Sequence, residues 1–97
     1  MPKGYWVTIY RSISDPKKLA NYAELAPKAT APFGCKYLAR GTAAKAYEAG
    51  LVDRIVISEF PSVEKAREAY NSPGYQAALK ALGGGAVRDL RIVEGLE

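Results

Sequence analysis

Apolar residues recur along the chain with two different periods, and each period predicts a different kind of element. The first apolar segment, residues 5–10, consists of β-branched and aromatic residues, which a pleated strand accommodates better than a helix does. Its apolar side chains fall on both alternating faces, with Tyr5, Val7 and Ile9 on one and Trp6 and Tyr10 on the other. We therefore expect this strand to be covered on both sides, which a single layer of helices cannot achieve.

A helical period follows the first strand. Asp15 and Pro16 provide a capping residue and a proline at the first helical position, which is a common start of a helix. Apolar residues then recur on one helix face: Leu19, Tyr22, Ala23 and Ala26. Pro27 lacks the amide that would bond to the carbonyl four residues earlier, so we expect the helix to kink or restart there. The Pro-Phe-Gly sequence at residues 32–34 predicts its end.

Two further strands are predicted in the middle of the chain, with a loop between them. Residues 35–40 are predicted as the second strand, and residues 41–50 as a loop with a short extended piece near residues 45–48. Arg54–Phe60 has the strongest β-propensity in the chain, and Pro61 ends it. We expect this third strand to lie in the centre of the sheet.

The last third of the chain predicts two short helices and a closing strand. Ser62 is a plausible N-cap for a helix whose buried stripe is Val63, Ala66, Ala69 and Tyr70. Ser72 and Pro73 repeat the start signal, so residues 74–82 should form a separate short helix that the following glycines end. Residues 87–93 are predicted as a strand, and their charged side chains are typical of an exposed sheet edge.

The element order is therefore βαββαβ, which predicts a single ferredoxin-like α+β domain over residues 1–97. In this arrangement helices pack on one face of a four-stranded antiparallel sheet. Because the first strand is apolar on both sides, we expect an identical sheet from a second subunit to cover the bare face, which makes a dimeric α+β barrel. Trp6 and Tyr10 are assigned to the core of that dimer, and contact with a ligand is the alternative role for them.

Composition narrows the chemistry that the fold could carry. The 97 residues contain no His and one Cys, Cys35, so a His-dependent triad, an imidazole base and an internal disulfide are excluded, and no metal site is expected. A single Cys fits a reducing cytoplasm or indifference to the compartment, and no stretch approaches the ~18 apolar residues of a membrane helix, so we expect no membrane partner. The net charge of +4 is scattered among acidic residues, so we expect no nucleic-acid partner.

Several stretches together carry a resemblance to a known family: residues 37–41 (YLARG), 57–62 (ISEFPS), 70–76 (YNSPGYQ) and 92–95 (IVEG). They resemble the domain of unknown function 1330 family, a branch of the dimeric α+β barrel superfamily. The resemblance implies a ferredoxin-like homodimer, similar in fold to cofactor-independent monooxygenases, muconolactone isomerases and chlorite-dismutase-like haem proteins, and it supplies no reaction. Asn71 stands where many relatives carry His, which puts an acid–base role at this position in doubt.

Arg40 and Glu59 are the first candidates for a functional site. They lie near the ends of neighbouring predicted strands, and each alternates with apolar residues, so either could enter a half-buried pocket. In one interpretation Arg40 holds a carboxylate or enolate while Glu59 acts as a general base, its pKa raised by desolvation. In the other, the two side chains form a cross-strand ion pair that helps to fix the register.

Tyrosines supply the second group of candidates. Tyr22, Tyr70 and Tyr75 lie on predicted helices that should face the sheet, where rings and hydroxyl groups could line a cavity for an apolar ligand. The alternative is that they pack in the core, with each hydroxyl bonded to a backbone carbonyl. The full predicted ligand-binding set is Tyr22, Arg40, Glu59, Tyr70, Asn71 and Tyr75.

Two functions follow from these candidates. The chain is expected either to bind a small apolar or aromatic carboxylate between helices and sheet, or to be a cofactor-independent enzyme, isomerase or monooxygenase-like, acting on an enolisable substrate. The enzyme would use Glu59 or a tyrosine as base and Arg40 to stabilise the anion. No cofactor is expected, and haem is disfavoured because no His can serve as its proximal ligand.

Overall fold

The computed structural model describes residues 2–96, so Met1 and Glu97 of the predicted single domain lie outside the described residues. The elements are β1 (Gly4–Ile13), α1 (Pro16–Thr30), β2 (Lys36–Thr42), β3 (Arg54–Phe60), α2 (Val63–Asn71), α3 (Pro73–Leu82) and β4 (Ala86–Glu94). The strands pair antiparallel in the order β2-β3-β1-β4, which places β3 inside the sheet and β4 at its edge. The predicted ferredoxin-like α+β fold is confirmed.

Each helix begins where a side chain accepts a hydrogen bond from a free backbone amide. The Asp15 carboxylate accepts from two amides in the first turn of α1, at 3.1 and 3.2 Å. Ser62 accepts from the amide three residues later at 3.1 Å, and Ser72 accepts from the Tyr75 amide at 3.3 Å. The three predicted caps are confirmed, and Ser72 separates α2 from α3.

Pro27 does not restart α1, contrary to the expectation from sequence. The helix continues to Thr30, and the Ala31 amide donates to the Pro27 carbonyl as in an ordinary last turn. The Thr30 hydroxyl also donates to the Ala26 carbonyl at 3.0 Å. The missing amide costs one hydrogen bond, and packing of the buried residues Ala26 and Thr30 keeps the helix continuous.

The loop between β2 and β3 differs in detail from its prediction. Strand β2 extends to Thr42, and residues 43–53 form the connection, with no strand assigned near residues 45–48. The Ala43 amide donates to the Asp53 carbonyl at 3.3 Å, so the two ends of this loop lie close together.

The buried face of the sheet is the one that carries Trp6 and Tyr10, which corrects their assignment to a dimer core. Their exposed fractions are 4% and 1%, and they point toward the helices. The Trp6 indole Nε1 donates to the Ala66 carbonyl of α2 at 3.0 Å, and its ring centroid lies 5.0 Å from that of Tyr75. Since β1 is apolar on both faces, alternation could not decide which face the helices cover.

The opposite face of the sheet carries no helix in the described structure. Tyr5, Val7 and Ile9 of β1 lie there half-buried, paired in register with Glu59, Ile57 and Ile55 of β3. We call this surface the open sheet face. It is the face that the sequence pattern assigned to a second subunit.

The first and last strands also bring distant parts of the chain together. Gly4 pairs in register with Glu94, and the Gly95 amide donates to the Lys3 carbonyl at 2.7 Å. Residues 3 and 95 are therefore neighbours at one end of the sheet.

Candidate functional site

A narrow cleft opens between α1 and the helix-facing side of the sheet. Its enclosed space is about 30 Å³, and the figure rises to about 440 Å³ only when open solvent at its mouth is included. Its α1 wall is mostly apolar, whereas its sheet wall combines aromatic rings with arginine side chains. The lining residues that carry the argument below are Tyr10, Tyr22, Tyr37, Arg40, Arg54 and Arg88.

Two tyrosines and one arginine form a hydrogen-bonded cluster at the cleft. The hydroxyl groups of Tyr22 on α1 and Tyr75 on α3 are hydrogen-bonded to each other. Arg88 of β4 donates from Nη1 to the Tyr22 oxygen at 2.9 Å and from Nη2 to the Tyr75 oxygen at 3.3 Å. The Arg88 guanidinium also lies over the Tyr22 ring, 4.8 Å from its centroid, so it is held by rings as well as by hydroxyl groups.

The protonation state of this cluster follows from its burial. Desolvation raises the pKa of Tyr22 although the charge of Arg88 acts in the opposite direction, and desolvation likewise raises the pKa of Tyr75 well above that of a free phenol. Burial by itself lowers the pKa of Arg88, but the two tyrosine oxygens raise it, and the net direction is upward. Near neutral pH both phenols are therefore neutral and the guanidinium is charged.

Arg54 is the least satisfied polar residue of the cleft. It lies at the start of β3 with its guanidinium 5.9 Å from the centroid of the Tyr10 ring, and Arg88 lies 5.6 Å from the same centroid. The Nε atom of Arg54 is buried and has no hydrogen-bond partner in the described structure. Buried donors of this kind are rare in folded proteins, and each calls for a physical explanation.

The cleft has a strong excess of positive charge. Arg40 of β2 is exposed at its mouth and stacks on Tyr37, 4.7 Å from the ring centroid. The lining of the cleft contains no Asp or Glu, and among residues 2–96 no ion pair involves Arg40, Arg54 or Arg88. Three guanidinium groups in a partly dehydrated cleft create a field that attracts anions.

The structure separates Arg40 from Glu59 and so corrects the idea that they act as a pair. The register of β2 against β3 shifts between Tyr37 and Ala39, and Arg40 thereby lies on the helix-facing side with Tyr37. Glu59 lies on the open sheet face, where its carboxylate is 3.6 Å from the Lys3 ammonium. Neither the catalytic pair nor the alternative cross-strand ion pair between Arg40 and Glu59 is formed.

The remaining predicted residues divide between the cleft and its surroundings. Tyr22 lines the cleft, and Tyr75 lies directly behind it, fully buried with its ring against Trp6 as expected. Tyr70 packs beside Tyr75 at a centroid distance of 5.2 Å without lining the cleft. Asn71 ends α2, where its amide nitrogen donates to a carbonyl of its own helix at 3.1 Å. Tyr70 and Asn71 are therefore not brought to the cleft.

Sequence reasoning missed Arg54 and Arg88. Arg54 begins the predicted third strand and shares a face with Val56 and Ser58 by simple alternation, so its position was available from the pattern. Arg88 was assigned to an exposed edge strand. Strand β4 does lie at the edge, but Arg88 is half-buried because its face of the strand turns toward α1 and α3.

Residues 2–96 contain no group of three or more Cys, Asp or Glu side chains placed to hold a metal ion. Within the same residues, none of the helices has the length and apolar character needed to cross a bilayer.

Comparison with protein-family models gives one match, a domain of unknown function, DUF1330, over residues 3–96. The chain belongs to the DUF1330 family. The match confirms the resemblance found in the sequence motifs. The DUF1330 model describes a domain of unknown function, so membership of the family assigns no reaction or ligand to this chain. None of the curated proteins matches closely enough to count as a relative.

Solved structures show how the DUF1330 chain relates to other folds. A protein of unknown function from Rhodopseudomonas palustris, RPA0582, is 17% identical, with 99% of this chain and 84% of that chain covered and a TM-score of 0.78. A dimeric ferredoxin-like protein of unknown function from Thermobifida fusca is 19% identical, with 96% and 91% covered and a TM-score of 0.67. SnoaB, a cofactor-independent oxygenase from Streptomyces nogalater, is 12% identical, with 100% and 96% covered and a TM-score of 0.68. At these identities the likeness shows the fold alone.

Proposed function

We propose that this protein binds a small organic anion with a flat apolar body, of the aromatic carboxylate type, in the cleft between α1 and the sheet. The observation that carries the proposal is Arg54, whose buried Nε has no partner in a cleft whose lining contains no carboxylate. A ligand oxygen would supply that partner and would also neutralise part of the positive charge. The planar guanidinium fork matches the two oxygens of a carboxylate.

The shape and lining of the cleft support a flat body for the ligand. The cleft is narrow, and the rings of Trp6, Tyr10 and Tyr37 contribute to its sheet wall while Leu19 and Ala26 contribute to its α1 wall. Aromatic and aliphatic walls of this kind favour apolar ligands, and a few polar groups then fix the orientation. An aromatic carboxylate combines the charge that the arginines require with a body thin enough to enter.

Acid–base catalysis is the less supported alternative. The proposed base Glu59 lies on the open sheet face, away from the cleft. The tyrosine alternatives, Tyr22 and Tyr75, have pKa values raised by burial, so neither phenol is ionised near neutral pH. A general base must be deprotonated at the working pH and within reach of the substrate proton, and these residues do not meet both conditions. Binding without acid–base chemistry by these residues is therefore the function we propose.

Calorimetric titration with a matched set of anions tests the proposal. The set is benzoate, phenylacetate, acetate and inorganic phosphate, and we expect the two aromatic carboxylates to bind more tightly than the small anions. Arg54→Met removes the fork but keeps much of the side-chain length, so affinity should fall about 10- to 150-fold, the equivalent of a charged hydrogen bond worth ~1.5–3 kcal/mol. Arg40→Met should weaken binding less, because Arg40 is exposed to water.

The control for these variants is Arg67→Met. Arg67 is exposed on α2, where it contacts Glu64 at 3.7 Å, so this change lowers the net charge equally without touching the cleft. Its affinity for benzoate should match that of the wild type. Absence of binding by the wild-type protein, or equal binding by wild type and Arg54→Met, would contradict the proposal.

We further propose that two copies form a homodimer through the open sheet face. Val7, Ile9 and Ile57 form an apolar patch on this face beside the charged residues Glu59, Asp89 and Arg91, and Val93 of β4, 51% exposed, extends the patch. An exposed apolar surface of this kind is typical of a subunit interface. The Thermobifida fusca protein of similar fold is itself described as dimeric.

Sedimentation equilibrium at low micromolar concentration tests the homodimer. We expect a dimer for the wild type and a folded monomer for Val7→Glu, which buries a charge in the interface. Leu25→Glu, at a residue of α1 that is 41% exposed, is the matched control and should remain dimeric. A stable wild-type monomer would contradict the proposal.

The cytoplasmic location expected from the sequence also remains a prediction, which fractionation of host cells would test.

A further inference from the structure

The hydroxyl groups of Tyr22 and Tyr75 share one hydrogen bond, and a proton count shows which of them donates. Tyr75 is fully buried, and among the described residues its oxygen contacts only Tyr22 and Nη2 of Arg88. Guanidinium nitrogens donate hydrogen bonds and cannot accept them. The Tyr75 proton therefore has one acceptor within reach, the Tyr22 oxygen, and any other arrangement leaves a buried donor without a partner.

Tyr22 is consequently left with a free proton. Its oxygen accepts from the Tyr75 hydroxyl and from Nη1 of Arg88, the latter at 2.9 Å, which uses both of its lone pairs. Among residues 2–96 no acceptor receives the Tyr22 proton in return, and Tyr22, unlike Tyr75, lines the cleft. The proton can therefore be donated to a group that enters the cleft.

The surroundings of the Tyr22 hydroxyl make it a strong donor. Each hydrogen bond that its oxygen accepts polarises the O–H bond further, and one of the two comes from a charged guanidinium. The charged side chain in contact with it, Arg88, is a donor, and the other arginines that line the cleft, Arg40 and Arg54, are donors as well. The group that fits this position is therefore an oxygen that accepts hydrogen bonds and carries no hydrogen of its own to donate.

We infer that Tyr22 donates a hydrogen bond to an acceptor-only oxygen of the ligand, a carbonyl, enolate or phenolate oxygen, and that Tyr75 and Arg88 are positioning residues for its proton. The inference rests on the proposed function, because it assumes that the cleft takes an aromatic anion. It narrows the ligand class to aromatic carboxylates that carry a second oxygen of this type.

An ionisable ligand makes the inference measurable. A bound phenol would be favoured as its phenolate, because the negative oxygen accepts from Tyr22 in the field of the nearby guanidinium groups. The phenol proton is released to water, and no bond to carbon changes. The pKa of the ligand phenol should therefore fall on binding.

The experiment uses two probes that differ by one hydroxyl group, 4-hydroxy-3-nitrophenylacetate and 3-nitrophenylacetate. The nitrophenolate absorbs visible light, so a pH titration of the first probe, free and bound, gives its phenol pKa directly. With wild-type protein we expect that pKa to fall by about one unit, which corresponds to a tenfold preference for the ionised form. The second probe measures carboxylate binding alone.

Tyr22→Phe should abolish most of the shift in the phenol pKa of the bound probe. Tyr75→Phe is the matched control, since it removes one hydroxyl from the same pair but leaves the Tyr22 proton available, and it should keep most of the shift. Equal loss in both variants, or a wild-type phenol pKa that does not fall on binding, would overturn the inference. If a variant does not fold, a wild-type phenol pKa that does not fall on binding still overturns the inference. Failure of both probes to bind would overturn the proposed function as well, whereas binding of 3-nitrophenylacetate without a phenol shift would overturn this inference alone.

Discussion

Replacing Arg54 by Met should make the ligand-free protein more stable, because the side chain is placed for a ligand and not for the fold. Its buried Nε lacks a partner, and a buried donor left unpaired costs about 1–3 kcal/mol. The change gives up the contact with the Tyr10 ring at 5.9 Å, an interaction worth about 0.5–1 kcal/mol near a protein surface. Met retains much of the apolar volume, so the net gain should be about 1 kcal/mol.

Thermal and urea unfolding, each followed by circular dichroism, measure this difference. For a domain of this size a gain of 1 kcal/mol raises the melting temperature by about 4–8 °C, which is easily resolved. Arg67→Met serves again as the control, because its exposed ion pair with Glu64 contributes little. With benzoate present in excess the order should reverse, since a ligand stabilises the native state of the protein that binds it.

A clear result would refute this reasoning. If Arg54→Met unfolds at lower urea concentration than wild type by the equivalent of 1 kcal/mol or more, Arg54 supports the fold, and its unpaired Nε no longer indicates a ligand. If stability rises but benzoate stabilises both proteins equally, Arg54 is not the residue that holds the carboxylate.

Three further predictions concern the stability of the fold. Ser72→Ala should destabilise the protein by about 1 kcal/mol in urea unfolding, because it removes the cap of α3; an unchanged midpoint would show that the cap contributes nothing. Burial raises the pKa values of Tyr22 and Tyr75, so the unfolded chain loses these phenol protons at a lower pH than the folded protein does. The free energy of unfolding should therefore be intact below about pH 10 and decline above it, less steeply in Tyr22→Phe. Urea melts at several pH values would contradict this if the free energy of unfolding fell equally steeply with pH in both proteins. Gly4→Ala would place a Cβ 2.7 Å from backbone atoms at the start of α2 and should cost about 1–3 kcal/mol, whereas Gly84→Ala meets no atom within 4 Å and should be tolerated; thermal melts compare the two.

Local signals in the sequence were sufficient for most of the fold. The capping residues Asp15, Ser62 and Ser72 predicted helix starts within one residue, because a cap needs only its own side chain and the next turn. The limits of β3 were also predicted, since β-branched residues and Pro61 define them locally.

The candidate site was harder to predict, because it depends on relations between strands. The register shift beside Tyr37 decides that Arg40 faces the helices, and no residue in β2 signals such a shift. Because β1 is apolar on both faces, its pattern does not show which face the helices cover, and so it does not show which residues surround Trp6. Arg88 was assigned to the edge by its charge, whereas its position depends on hydroxyl groups from α3, which directly precedes β4, and from α1, which is far from it in sequence.

The hydrogen bond between residues 3 and 95 has a consequence for how the chain folds. The pairing of β1 with β4 is the contact with the largest sequence separation in the sheet, and such contacts slow folding because a long loop must close first. A circular permutant that joins residues 3 and 95 by a short linker and opens the chain within residues 43–53 would turn this pair into a hairpin. Its sheet and cleft would retain the same neighbours, while its average contact distance along the chain would fall. The permutant should therefore fold faster than the natural order of the same residues.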